Sequence, residues 1–428
     1  MKRNALSILL ASSVVFLTAC GGDDNNDGGP STTSNVDINN IQNPVVGTPA
    51  AYIFPKDAPP NAADSVVMTY KMKGIKGTEI LATSLVFTPK TAPPVEGWPI
   101  VVWAHGTTGV ADKCAPSVNK LTIPGIFGPG DPTIKNMIDS FLKEGYVVVA
   151  PDYEGLGEPG DKELHPFLHV KSEAYSITDA VVATKSWLRD KVSNKWAVVG
   201  HSQGGQAALG AAQYAARANM DYKGAVAVAP ASNLKMIDSL IQFKLEGLSD
   251  IMTNQEGQRK AFGYVATDGF TALIAASIKS TYGVGGTYSQ VFKSPTDKIA
   301  EQAESLCVVE LGSKFLQGIG EYAFKNNSSI KGYPRRNVGY MDDPIVKQFL
   351  EKDSQPLQVL VKTPIIIYQG GADTLVLPQA TDALVAQARA LTTKIDYRTD
   401  PKWDHGTVYS INAQNGNLLE DIKTLLSN

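Results

Sequence analysis

Cysteine and histidine are both scarce in this chain of 428 residues, which has three of the first and five of the second. Three cysteines cannot build a disulfide-rich scaffold or a four-cysteine zinc site, and five histidines leave little for a multinuclear metal centre. No metal and no cofactor is therefore expected. Charged residues are only 19% of the chain and the net charge is −3. That balance gives no broad basic surface and excludes a general nucleic-acid binder. Beyond the N-terminal region no apolar run reads as a membrane span. What is present is 43% hydrophobic residues, enough for a large core and too many for a disordered chain.

The N-terminus reads as a targeting segment. Lys2 and Arg3 precede an apolar run from Ala5 to Phe16, too short for a stable bilayer anchor and suited to a signal peptide. The run ends in Leu17-Thr18-Ala19-Cys20, which resembles the bacterial lipobox. Residues 1–20 are thus expected to be a lipoprotein signal peptide, with Cys20 lipidated and the protein held at a bacterial cell envelope, at the outer membrane. Residues 21–43, rich in Gly, Asp, Asn, Ser and Thr, read as a flexible tether. Asp23, Asn25, Asp27 and Gly28 match half a calcium loop, but Ser34 stands where the loop needs Glu.

Downstream, short apolar runs alternate with segments of helical spacing. Ser65–Lys73 and Glu79–Thr88 read as a strand pair. Trp98–Ala104, Tyr146–Pro151, Trp196–Val199, Gly224–Ala229, Ile365–Gln369 and Lys394–Arg398 read as further strands. Helices are expected at Ile134–Glu144, Glu173–Lys191, Gly204–Asn219, Pro378–Leu391 and Asn417–Leu426. The alternation predicts an α/β fold with a doubly wound, mostly parallel sheet. Residues 44–231 and 356–428 form its core. Residues 232–355 break the alternation with helical runs at Met236–Leu248, Phe262–Ile278 and Ile299–Phe324, which read as an inserted helical cap over an apolar pocket. Phe262, Phe270, Leu273 and Ile274 either line that pocket or pack the cap onto the sheet.

One motif carries chemistry. Gly200-His201-Ser202-Gln203-Gly204 sits between an expected strand and an expected helix, the context in which G-x-S-x-G forms a nucleophile elbow. The glycines permit a turn so sharp that side chains would collide, and Ser202 is presented at a helix N-terminus. A serine nucleophile needs a base and a group that orients it. His405 is the only histidine after Ser202, and it follows a strand. Asp373 follows the preceding strand and is expected as the acid. Asp404, beside His405, has poor geometry for that task, and Asp382 lies within a helix. An oxyanion hole requires two aimed N–H groups. Gln203 supplies one, and the His105-Gly106-Thr107-Thr108-Gly109 loop supplies the other through Thr107 or, alternatively, Thr108. Gly155, Gly157 and Gly160 with Asp179 match a dinucleotide fingerprint, but the next helix opens too late to cradle a phosphate. With Cys20 consumed by lipid, Cys114 and Cys307 remain; an oxidising compartment allows a disulfide between them, or they are two separate thiols.

His105-Gly106-Thr107-Thr108-Gly109, Pro151-Asp152-Tyr153-Glu154-Gly155-Leu156-Gly157 and Gly200-His201-Ser202-Gln203-Gly204-Gly205, with a helical insertion before Asp373, resemble the secretory lipase family of α/β-hydrolases. The resemblance spans most of the chain after about Tyr52, and it implies hydrolysis of a small-molecule or lipid carboxylic ester through an acyl-enzyme, without a cofactor. A peptidase or an acyltransferase with the same triad, and a non-catalytic binding protein on the same fold, remain as alternatives.

Overall fold

The apolar run Trp98–Ala104 alternates its side chains between two separate cores. Ile100, Val102 and Ala104 enter one, and Val101 and Trp103 enter the other. Such a strand must be covered on both faces, which is why it reads as continuous apolar sequence. Among the described residues it is the fourth of nine strands in one sheet. In chain order these are β1 (Ala50–Ala51), β2 (Ala62–Lys73), β3 (Glu79–Pro89), β4 (Trp98–Ala104), β5 (Val147–Pro151), β6 (Val192–His201), β7 (Asp221–Val228), β8 (Ile365–Gly370) and β9 (Ile395–Asp400). The sheet order is β1-β2-β3-β5-β4-β6-β7-β8-β9. The first three strands and the β3–β5 pair are antiparallel; β5, β4, β6, β7, β8 and β9 run parallel. β6 starts earlier than its apolar run suggests, because Val192 pairs with Trp98 across the strands.

The computed structural model describes residues 37–121, 132–157, 163–283 and 287–428; the expected signal segment with Cys20, and residues 21–36 of the expected tether, lie outside these. Residues 37–428 form one compact unit. α1 (Thr133–Lys143), α11 (Thr407–Gln414) and α12 (Asn417–Ser427) cover one sheet face, and α2 (Val170–Leu188), α3 (Gln203–Tyr214) and α10 (Pro378–Ala390) the other. Between β7 and β8 lie α4 (Leu234–Glu246), α5 (Gln255–Tyr282), α6 (Thr287–Val291), α7 (Thr296–Ala300), α8 (Val308–Lys325) and α9 (Pro344–Gln348). The fold is that of an α/β-hydrolase: a mostly parallel sheet with helices on both faces and a helical insertion after β7.

Besides β6, three helical elements differ from the sequence expectation, each for a local reason. The run Ile299–Phe324 is two helices. Gly109 bridges Cys307, and the Val308 N–H donates to the Thr108 carbonyl at 2.8 Å, so the chain is extended where α8 begins. Helix α5 extends seven residues before Phe262, because the Asn254 side chain caps it by accepting the Gly257 N–H at 2.8 Å. Helix α11 has no clear apolar periodicity; the Asp404 carboxylate opens it by accepting the Thr407 N–H at 2.7 Å and the Gly406 N–H at 3.0 Å.

The disulfide alternative is the one present: Cys114 and Cys307 are bonded, with their Cα atoms 5.5 Å apart. The bond ties the loop after β4 to the start of α8.

Candidate active site

Strand β6 runs straight into the turn at Ser202, and the turn is tight enough that backbone touches backbone. A Cβ on Gly204 would lie 1.9 Å from the Ala104 carbonyl oxygen, and one on Gly200 would lie 2.1 Å from the Gly204 carbonyl oxygen. Only glycine fits at either position. Ser202 itself has φ 60° and ψ −119°, a strained conformation for a residue with a side chain. The Ser202 N–H donates to the Val228 carbonyl at 2.9 Å, and its carbonyl accepts from Ala231 at 3.2 Å. The hydroxyl therefore stands at the N-terminal end of α3 on a scaffold of fixed backbone.

His405 and Asp373 arrive from the ends of β9 and β8. The His405 Nε2 lies 3.0 Å from the Ser202 Oγ, and its Nδ1 lies 2.7 Å from the Asp373 Oδ2. The other Asp373 oxygen accepts the Leu375 and Val376 N–H groups, both at 2.9 Å. Asp373 is buried at 3% exposure, so these bonds, and not water, fix the carboxylate. Asp404 is spent on capping α11, and donors there hold its pKa below the usual carboxylate range. Asp382 accepts the Tyr397 hydroxyl at 2.8 Å on the protein surface. The three residues expected from sequence, Ser202, Asp373 and His405, are thus brought together.

Thr107 and Gln203 border the same pocket as Ser202 and His405. Thr108 does not border it, and its carbonyl is engaged by Val308. The loop that carries Thr107 is held from behind. Tyr153, at φ 74°, donates its hydroxyl to the His105 carbonyl at 3.0 Å and stacks on the His105 ring at 4.3 Å between centroids. Asp152 accepts the Thr83 hydroxyl at 2.6 Å and the Ser117 N–H at 2.8 Å. Glu154 accepts the Ile75 N–H and the Ser172 hydroxyl. Burial pushes both carboxyls up to about 7. The Asp-Tyr-Glu segment therefore serves as a brace. Its glycines pack as well: a Cβ on Gly155 would meet His165 N and Leu164 C at 2.7 Å. The third glycine of the dinucleotide pattern, Gly160, lies outside the described residues.

Two features of the site were not read from the sequence. Gln203 reaches Glu173 Oε1 with its side-chain N–H at 2.8 Å, and the same nitrogen lies 2.8 Å from His165 Nε2. Glu173 is fully buried, and burial raises its pKa to about 8; burial lowers that of His165 to about 3. Glu173 also accepts the Leu168 N–H at 3.1 Å, so this one buried carboxyl joins the residue after Ser202 to the loop that walls the pocket. His201, in the variable position of the elbow, donates its Nε2–H to the His405 carbonyl at 2.8 Å and stacks on Tyr409. A glutamate at the start of an ordinary helix and a histidine inside a motif give no local signal of these roles.

The pocket encloses about 880 Å³ including its mouth. Its walls are largely apolar, with Phe167, Leu168, Ile237, Ile241, Phe270 and Ile274 among them. The two readings of the α5 apolar residues each hold for some of them. Phe270 and Ile274 line the pocket, Leu273 is buried in the core, and Phe262 is 58% exposed. Among the described residues no group of three or more His, Cys, Asp or Glu side chains is placed to hold a metal ion.

Comparison with known proteins supports the fold. A family model described as serine aminopeptidase, S33, matches residues 133–268, a stretch that contains Ser202 but neither Asp373 nor His405. No curated protein matches by sequence. Among solved structures, Candida antarctica lipase A in its closed state is similar at TM-score 0.64 and 16% identity, over 90% of this chain and 83% of that one. A putative hydrolase of Legionella pneumophila is similar at TM-score 0.65 and 15% identity, over 89% and 98%. The rice cell wall degrading esterase LipA of Xanthomonas oryzae, in a ligand-bound form, is similar at TM-score 0.58 and 18% identity, over 90% and 97%.

Proposed function

We propose that the protein is a serine hydrolase of carboxylic esters. The observation that carries the reading is the continuous chain from Asp373 through His405 to Ser202, with links of 2.7 and 3.0 Å. Ser202 Oγ attacks the ester carbonyl carbon while His405 Nε2 takes its proton. Asp373 holds the Nδ1–H and stabilises the imidazolium. The Gln203 and Thr107 N–H groups bind the oxyanion of the tetrahedral intermediate. The protonated His405 then donates to the leaving alkoxide, which departs as alcohol and leaves the acyl-serine. Water, deprotonated by His405, attacks the acyl carbon; the bond to Ser202 Oγ then breaks, the acid leaves, and His405 returns the proton to Ser202 Oγ. Apart from the ester and water, every step uses groups of the chain itself.

The apolar walls favour an acyl chain over a peptide, whereas the match to the serine aminopeptidase model favours peptide hydrolysis. Two assays separate them. p-Nitrophenyl butyrate should give a burst of nitrophenol and a fluorophosphonate should add mass to the peptide containing Ser202; aminoacyl p-nitroanilides should be turned over far more slowly. Faster anilide cleavage would make the protein a peptidase. Absence of both activities, with an unlabelled Ser202, would make it a binding protein. The anchoring of the mature chain to a bacterial outer membrane through a lipidated Cys20 belongs to the same reading. It rests on Lys2, Arg3 and the Leu17–Cys20 segment. Cys20→Ala should move the protein from the membrane to the soluble fraction.

A further inference from the structure

A second polar patch opens onto the pocket, from the helices above Ser202. Asp238 on α4, Thr267 and Thr271 on α5, and Tyr340 all line the cavity. They are tied together by two arginines. Arg336 Nη1 donates to Asp238 Oδ1 at 2.5 Å, to the Tyr340 hydroxyl at 2.8 Å and to Thr271 Oγ1 at 3.1 Å. Arg335 Nη2 donates to Thr267 Oγ1 at 2.8 Å, and the same guanidinium holds Asp268 with bonds of 2.7 and 2.8 Å. Arg336 Nε also lies 3.4 Å from Asp268. Two aspartates thus face two arginines, and the patch carries no net charge.

Holding the helices together does not explain where these groups face. Asp268 is fully buried, does not line the pocket, and already pairs with both arginines. Asp238, Thr271 and Tyr340 add polar side chains to the residues that line the cavity. The Thr271 hydroxyl donates to the Thr267 carbonyl at 2.7 Å, so what Thr271, Tyr340 and Asp238 offer a substrate hydroxyl is the lone pairs that Arg336 does not engage. A plain alkyl chain filling the pocket would strip water from these groups and give nothing back. A chain bearing a hydroxyl would replace the lost water bonds. Neutrality of the patch favours such a neutral donor over an ammonium or a carboxylate.

We propose that this patch recognises a hydroxyl group on the acyl chain, so that the preferred substrates are esters of hydroxylated aliphatic acids. The inference rests on the ester-hydrolase reading of Ser202, and it can fail without that reading failing. A site built to bond a substrate hydroxyl discriminates strongly against the analogue that lacks it.

The experiment compares p-nitrophenyl esters of one chain length, unsubstituted or with a hydroxyl at successive positions. At one position the hydroxyl should raise kcat/KM by about tenfold or more over the plain ester. In Tyr340→Phe and Thr271→Val that ratio should fall toward one. No favoured position, or a preference that survives both substitutions, would overturn the proposal while leaving ester hydrolysis intact. Binding reads the patch without turnover. Calorimetry with Ser202→Ala should find the methyl ester of the hydroxy acid bound more tightly than its plain counterpart, and equal binding would likewise reject the patch. If no ester is cleaved at all, the ester-hydrolase reading fails, and the calorimetric result alone decides the patch.

Discussion

Asp373, on the floor of the pocket, takes two bonds from the backbone N–H groups of Leu375 and Val376, and its remaining oxygen meets the His405 imidazole at 2.7 Å, with the Gln369 side-chain amide donating at 3.4 Å. Asp268, in the roof, takes its charged partners from the long side chains of Arg335 and Arg336, 67 and 68 residues away. The floor is set by strand ends and glycine-tight turns, where a few backbone dihedrals decide every position. The roof is set by side chains with many rotamers, whose pairing is decided only once the helices meet. A polar group placed by backbone has little freedom to lose; one placed by arginines depends on the whole network being complete.

Substitutions on the floor should therefore act on rate, and those in the roof on stability. Ser202→Ala should lower kcat on p-nitrophenyl butyrate by roughly 10⁶-fold, and Asp373→Asn by up to about 10⁴-fold. Circular dichroism should show Ser202→Ala folded; if it unfolds, the floor is less independent of its side chains than its backbone bonds imply. Should Asp404→Asn cost more activity than Asp373→Asn, the wrong carboxylate has been placed in the relay.

In the roof, Asp268→Asn leaves the part-buried guanidiniums of Arg335 and Arg336 short of a fully buried counter-charge. It should cost about 3–5 kcal/mol in denaturant unfolding, with acetate-ester hydrolysis per folded molecule kept. A rate loss without a stability loss would reverse the comparison.

Helix α5 sharpens it further within one element. Leu273→Ala should destabilise by about 2–5 kcal/mol and leave the ratio of long-chain to short-chain kcat/KM unchanged. Phe270→Ala should lower that ratio, since each methylene of acyl chain no longer buried forgoes about 0.8 kcal/mol. Equal behaviour of the two would mean that the pocket does not sort chains through α5.

The smallest effect is a slope with pH. Glu173 titrates near 4.5 when exposed and at about 8 in the fold, so between these values the folded chain binds more protons than the unfolded one. Stability due to this group is present at the acid end and lost as pH rises toward 8. Glu173→Gln stays neutral throughout. The Tm difference between wild type and variant should therefore shift in favour of the variant from pH 5 to pH 8. A constant difference would show that Glu173 is ionised inside the fold.

The same contrast explains what the sequence alone makes legible. Ser202, Asp373 and His405 each follow a strand, and a short apolar run fixes where a strand ends, so floor residues announce themselves in one dimension. The parallel strands were legible because burial on both faces leaves uninterrupted apolar runs. Helix α11 was not, since its start depends on one carboxylate cap at Asp404. The break before α8 was not, since it comes from pairing between Gly109 and Cys307, 198 positions apart in the chain. Asp268 and Arg335 were not, because nothing in the sequence near either names the other. Glu173 looks like any polar residue in the first turn of a helix until Gln203 is seen beside it.

The bond between Cys114 and Cys307 closes a covalent ring with a sequence separation of 193. Ser202 lies inside that ring, whereas Asp373 and His405 lie on the strand of chain that leaves it. A protease that cuts once anywhere within the ring leaves both products joined through their sulfurs, with all three residues on one covalent species. A cut between Cys307 and Asp373 separates the serine from its acid and base, and no disulfide retains them. For a protein exposed to proteases, the short stretch from α8 to β8 is thus the place where a single nick does the most harm.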